Sequence, residues 1–411
     1  MAPLPGNIVT AMRRASAILV LYGGEVANIM ALLLILATIA RLGTPQELGQ
    51  YHFALSLLAP IFMLLWMQQR TILASDHERR YPTRTYYYAR SVAISAAVII
   101  SGLIGMLWGS SGFMTIFLIM LATKVVESYS DLNSGLFLRA GQPVTVSSFK
   151  IARALSSSLA FVLMYWLTGT LPVALTSVLF ISLSVLAFEA RTAWNIESSV
   201  NQPMPQASSM LALFRDTSAL GLLEFLYSIQ SNLPKYILMS FSGEAAVGIY
   251  ASLVYMLRPA ILFVTSGFQA ALKKLSYLHS KDNEVELRRL LRQLIGLALA
   301  ISASMTLVFA LSGNWILGTA FGKQFSHYQN YLVLVSLNNF FALPAAMVSY
   351  YGIIRRRYRL QPLVVLSSIA ANTGLSLILG QHYGEKGIVI GWILSGAVLL
   401  IGHSLVVRRP I

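Results

Sequence analysis

The chain is 411 residues long, 56% hydrophobic and only 11% charged, with 30 Lys and Arg against 15 Asp and Glu for a net charge of +15. Its mean hydropathy of +0.67 excludes an ordinary soluble protein of this size and leaves an all-α integral membrane protein. The lack of cysteine excludes disulfides, thiolate metal sites and a Cys nucleophile.

The first apolar stretch, 16–40, follows Arg13 and Arg14, has no small-residue cleavage site ahead of it and reads as an uncleaved targeting signal. It contains Glu25 and Asn28, and the second stretch, 50–74, contains Pro60. Ser91 to Thr123 is an uncharged run of 33 residues interrupted by turn residues at Trp108 to Gly112, and Ala154 to Phe188 is one of 35 interrupted at Thr168 to Pro172. About 20 residues cross a bilayer, so each run is a hairpin. The resulting spans are 90–108 and 112–131, then 147–167 and 172–189. Six more follow at 216–240, 246–271, 293–312, 329–353, 360–380 and 387–407, which makes about 12 transmembrane helices.

The gaps between these stretches alternate in charge. One set, which includes both ends of the chain, holds 24 of the 30 basic residues when the stretch ends that border it are counted with it; the other holds only Arg41, Lys323 and Lys386, and three lie deep inside the stretches. Short cytoplasmic loops carry the excess of Lys and Arg, so both termini are expected in the cytoplasm. The positive charge then lies beside anionic lipid headgroups, and membrane lipids rather than nucleic acid are the expected partners.

An offset of 199 residues aligns Glu25 with Glu224, Gly49 with Gly248, Tyr51 with Tyr250 and Pro60 with Pro259. At a slightly larger offset, GLFLRAGQP is echoed by GIIRRRYRLQP. The pattern predicts two pseudo-symmetric six-helix lobes of the same orientation, 1–190 and 215–411, joined by a cytoplasmic linker at 191–214. In parallel repeats of this kind, substrate sites lie near the midplane at the repeat interface.

An ionised group at a helix centre costs about 2.5 to 3.5 kcal/mol on insertion scales, so each one needs a partner, a wet cavity or a role. Glu25, Lys124, Glu127, Glu224, Lys235 and Arg258 qualify, and their charges sum to zero. Lys124 and Glu127 are three residues apart and predict a local ion pair. Glu224, Tyr227, Ser231 and Lys235 form a polar stripe on one helix face. Arg258 has no acidic neighbour three or four residues away, and its guanidinium suits a phosphate or carboxylate. Pro259 beside it, like Pro60, removes a backbone hydrogen bond and makes a hinge candidate. Glu25 and Glu224 sit about 13 Å deep, where a desolvated carboxyl exchanges a proton near neutral pH unless a cation pairs with it; Lys235 and Arg258 are the obvious partners. Asn28, one turn along, is a possible oxygen ligand, and Glu127 completes the acidic set.

No HExxH, GxSxG, GxxxxGK or paired acids in a sizeable loop occur, and no metal site is expected. The six histidines are scattered and read as isolated interfacial residues.

Helix number, duplication and the segments RLGTPQELGQY, SNLPKYILMSFSGEAAVGIY and LRAGQP together resemble the polysaccharide biosynthesis proteins. These are the O-antigen and capsular oligosaccharide flippases of the multidrug, oligosaccharidyl-lipid and polysaccharide (MOP) exporter superfamily. The resemblance covers essentially the whole chain through loose motifs. It implies a bacterial inner-membrane carrier, not an enzyme, that moves undecaprenyl-diphosphate-linked oligosaccharide from the cytoplasmic to the periplasmic leaflet. Alternating access coupled to H+ or Na+, no bound cofactor, and possible contact with other glycan-assembly proteins are part of that implication. The positive charge for the diphosphate would come from Lys124, Lys235 and Arg258, aided by Arg70 and Arg153. Glu25, Glu224, Asn28 and Glu127 would serve coupling. A multidrug or small-solute cation antiporter of the same superfamily fits the acidic residues as well, and a membrane oligosaccharide polymerase or ligase is the reading from another class.

Overall fold

The computed structural model describes residues 6–108, 111–197, 204–355 and 357–408, and every regular element among them is helical. The first seven helices are α1 (Gly6–Leu42), α2 (Pro45–Trp66), α3 (Gln69–Ser75), α4 (Thr83–Trp108), α5 (Ser111–Arg139), α6 (Pro143–Thr168) and α7 (Leu171–Glu197). Then come α8 (Ala207–Tyr255), α9 (Arg258–Ser280), α10 (Glu284–Phe321), α11 (Gln329–Ser336), α12 (Asn339–Ile354) and α13 (Gln361–Arg408). Local chemistry sets several ends. Thr44 and Glu47 form a reciprocal capping box at α2, with the Thr44 N–H donating to Glu47 Oε2 at 2.9 Å and the Glu47 N–H to Thr44 Oγ1 at 3.2 Å. Asn283 caps α10 by accepting from the Glu286 N–H, and Gly169 ends α6 in the left-handed region at φ 63°.

Among the described residues ten helices are long and apolar enough to cross a membrane. Two of the ten are too long for one crossing: α8 has 49 residues and α13 has 48. Each is divided by a non-helical glycine, Gly243 at φ 78° and Gly384 at φ 60°. In α13 the arms fold against each other, since Ser376 Oγ donates to the Ile388 carbonyl and Ser368 Oγ to the Ser395 carbonyl, at 3.0 and 2.8 Å. In α8 both arms lie along the start of α2. Tyr236 of the first arm bonds the Ser56 carbonyl, while in the second arm Gly248 abuts Gly49 and Tyr255 lies against His52.

Three expected spans are broken helices. Span 50–74 is α2 and α3, separated by Met67 and Gln68 with φ of 50° and 54°. Span 246–271 breaks at Met256–Leu257 and resumes as α9, and span 329–353 breaks at Leu337–Asn338. The uncharged runs divide as expected: α4 ends at Trp108, and α6 and α7 are separated by two residues.

The chain forms two compact units, one of residues 1–42 and 57–224 and the other of 43–56 and 225–411. In the first, α1 packs on α6, α6 and α5 on α7, and α3 and α4 on α5. Leu73, Tyr86, Leu132, Phe137 and Leu213 are in its core. In the second, α12 packs on α13, and α9 and α10 pack on each other and on α12 around Phe268, Leu275, Leu287 and Met347. Helices α2 and α8 each run from one unit into the other.

Candidate functional site

The second unit holds the least compensated charge. Lys235, half-buried on α8, donates to Asn232 Oδ1 at 2.8 Å. Arg258, at the start of α9, lies over the Tyr255 ring, with Cζ 5.5 Å from the centroid. Neither cation has a carboxylate partner among the described residues, and the two are within electrostatic reach of each other. His52 of α2 also packs on Tyr255, with ring centroids 5.4 Å apart. Imidazole from α2 and guanidinium from α9 therefore both pack on one phenol of α8.

Prolines shape this region by releasing carbonyls that side chains then take. Pro60 cannot donate to the Ser56 carbonyl, and the Tyr236 hydroxyl donates to it instead. The division between the units falls between Ser56 and Leu57, one turn before Pro60. Pro234 leaves the Gln230 carbonyl free, and Asn372 Nδ2 approaches it at 3.4 Å. Pro259 lies at the start of α9, just past the broken turn, so it begins a helix rather than kinking a continuous one.

The first unit is the opposite case. Lys124 pairs with Glu127 at 2.6 Å, as their spacing predicts. Arg153 Nη2 lies 2.6 Å from Glu189, which also accepts from Ser130. Asp131 is shared by Arg70 at 3.7 Å and the wholly buried Arg90 at 3.4 Å. Glu25 takes Lys150 as its partner, not Lys235 or Arg258. Glu224 accepts from Gln68 Nε2 at 2.7 Å, and Asn28 is exposed. Outside the spans, burial and then the hydrogen bond from its hydroxyl to Asp216 raise the Tyr81 phenol above its ordinary range, so it stays a donor. The zero sum of the six deep charges thus conceals an asymmetry: Glu127 pairs with Lys124, Glu25 with Lys150 from outside the six, and Glu224 with an amide, while Lys235 and Arg258 have no carboxylate among the described residues.

Two histidines correct the sequence reading. His52 and His403 are buried, at 0% and 1% exposure, rather than interfacial. His403 Nε2 and Ser349 Oγ each lie 3.2 Å from the Tyr227 hydroxyl. Both histidines fall within predicted spans and not in the gaps, which was the available signal.

No family model matches the chain. It is 24% identical over 393 residues, covering 93% of this chain and 97% of the other, to the capsular polysaccharide biosynthesis protein CapF of Staphylococcus aureus. The lipid II flippase MurJ in an inward closed conformation superposes with a TM-score of 0.72 at 14% identity, over 95% of this chain and 88% of that one. An inward-facing multidrug resistance MATE family transporter of the MOP superfamily gives 0.70 at 13% identity, over 95% and 93%. The protein is a multi-pass membrane protein with the two-lobed fold of MOP-superfamily transporters. Its resemblance to the polysaccharide biosynthesis proteins extends, through CapF, along nearly the whole chain.

Proposed function

We propose that the protein is a lipid-linked oligosaccharide flippase of the bacterial inner membrane. It would move undecaprenyl-diphosphate-linked units from the cytoplasmic to the periplasmic leaflet for capsule, O-antigen or exopolysaccharide synthesis. The observation that carries this reading is the pair Lys235 and Arg258, two cations with no carboxylate partner among the described residues, beside an aromatic ring. A diphosphate needs a wet, positive path through a low-dielectric core, whereas its polyprenyl tail remains in lipid.

In this reading Lys235 and Arg258 receive the diphosphate. Lys124 adds charge at depth and Arg70 and Arg153 at the cytoplasmic mouth, each held in place by its acidic partner. Six-helix lobes 1–190 and 215–411, joined through 191–214, alternate in access by bending at Pro60 and Pro259. Cation coupling belongs to Glu25, Glu224, Asn28 and Glu127, with H+ or Na+ as the ion. Glu224 favours the second reading, a multidrug or small-solute cation antiporter, because it accepts from the Gln68 amide and pairs with no cation among the described residues.

The test is accumulation of radiolabelled undecaprenyl-diphosphate sugar in the cytoplasmic leaflet after gene deletion. Rescue by wild type and not by Arg258→Ala supports the flippase. Unlinked glycan on the periplasmic side supports a polymerase or ligase, and an absence of any glycan phenotype supports the antiporter.

A further inference from the structure

His52 has a position that packing alone does not explain. Its side chain is 0% exposed, and neither ring nitrogen has a hydrogen-bond partner among the described residues. A neutral imidazole brings one donor and one acceptor into the interior, and a Phe of similar shape would fill the space without that cost. The groups facing it are Tyr51, edge-on at 5.5 Å, Tyr255 from the second arm of α8 at 5.4 Å, and Lys235 from the first arm. Arg258 packs on the same Tyr255 ring. No carboxylate among the described residues bonds to it.

Histidine is the side chain whose ordinary charge change falls between about pH 5 and pH 8. Here that change would add a third positive charge beside two uncompensated ones. We infer that His52 links proton binding to occupancy of Lys235 and Arg258: a diphosphate held there offsets their charge, and the imidazole takes up one proton from water. The proton adds to a ring nitrogen lone pair and no bond breaks. Because linkage is reciprocal, a protonated His52 in turn tightens the anion. This inference rests on the anion-site reading above and concerns proton-linked anion binding at a residue outside the acidic set.

The test uses the full chain in lipid nanodiscs with inorganic pyrophosphate as the probe, comparing wild type with His52→Asn from about pH 5 to pH 8. The probe's own titration is common to both proteins and cancels in the ratio of their affinities. As pH falls, wild-type affinity is expected to rise relative to the variant by up to about tenfold per pH unit, the limit for one linked proton. A ratio that stays flat while both proteins bind overturns the inference. If the buried substitution prevents folding, calorimetry of wild type in two buffers of different ionisation heat counts protons taken up per pyrophosphate. Uptake no greater than the probe's own overturns it equally. Failure of the underlying reading has a different signature: the Lys235→Gln and Arg258→Gln double variant would bind pyrophosphate as wild type does at every pH.

Discussion

Gly49 and Gly248 touch, and they do so reciprocally. A Cβ on Gly49 would lie 1.9 Å from the Glu244 carbonyl oxygen, and one on Gly248 would lie 2.7 Å from the Pro45 carbonyl oxygen. The glycines are 199 residues apart, and so are Pro45 and Glu244. The duplication offset is therefore the geometry of a self-complementary contact, in which each copy presents the same glycine to the same partner position. Two backbones can approach this closely only where both lack a side chain.

Gly49→Ala should accordingly destabilise the protein by about 1 to 3 kcal/mol, the usual cost of forced overpacking. Gly267→Ala, on α9 with nothing within 4 Å of its would-be Cβ, is the control and should be neutral or stabilising by up to about 1 kcal/mol. Thermal unfolding in detergent reads both, and equal melting temperatures for the two variants would contradict the contact.

Gln50 Nε2 donates to Glu244 Oε2 at 3.0 Å beside that contact. Since the natural chain has no cysteine, Gln50→Cys with Glu244→Cys makes a clean cross-linking pair. If segment 43–56 must part from the rest of the second unit during transport, a thiol cross-linker will stop translocation, and reduction of a reducible one will restore it. Full activity in the cross-linked protein would show that this contact stays closed throughout the cycle.

Cations of the two units should fail differently. Arg258→Ala and Lys235→Gln are expected to abolish translocation while leaving insertion and melting temperature near wild type, because no buried acid loses its partner. Arg153→Ala leaves Glu189, only 3% exposed, without its cation and should cost about 3 to 5 kcal/mol. Parallel melting and flipping assays separate these effects, and wild-type flipping by Arg258→Ala would remove that residue from the mechanism.

Glu25→Gln breaks the ion pair with Lys150 and should uncouple translocation from the ion gradient. The pair is part-exposed, so its loss should cost little stability. The measurement is flipping rate against an imposed gradient, and an unchanged dependence would assign Glu25 a structural role.

Pro60→Ala restores a donor for the Ser56 carbonyl, which Tyr236 now occupies. The substitution is expected to straighten α2 and slow transport without loss of stability. A wild-type rate would argue against bending at this point.

Much of the fold was legible in the chain. Runs of apolar residues near bilayer length gave the helices, since a backbone in lipid must satisfy its own hydrogen bonds. The Gly49 and Gly248 repeat and the Lys124 and Glu127 spacing are periodic facts that a one-dimensional string can carry. Where a helix breaks was less legible: Met67, Gln68, Met256 and Leu257 are ordinary helix formers, and tertiary packing overrides their propensity.

The sequence by itself determined which side chains are costly to bury and the offset that duplicates the halves. Only the tertiary structure decided which charge meets which, because ion pairs form across 125 residues between Glu25 and Lys150, a separation no helical period encodes. Among the described residues it left Lys235 and Arg258 without acids and set the buried His52 against Tyr255, because Coulomb and contact energies depend on distance in space and not on distance along the chain.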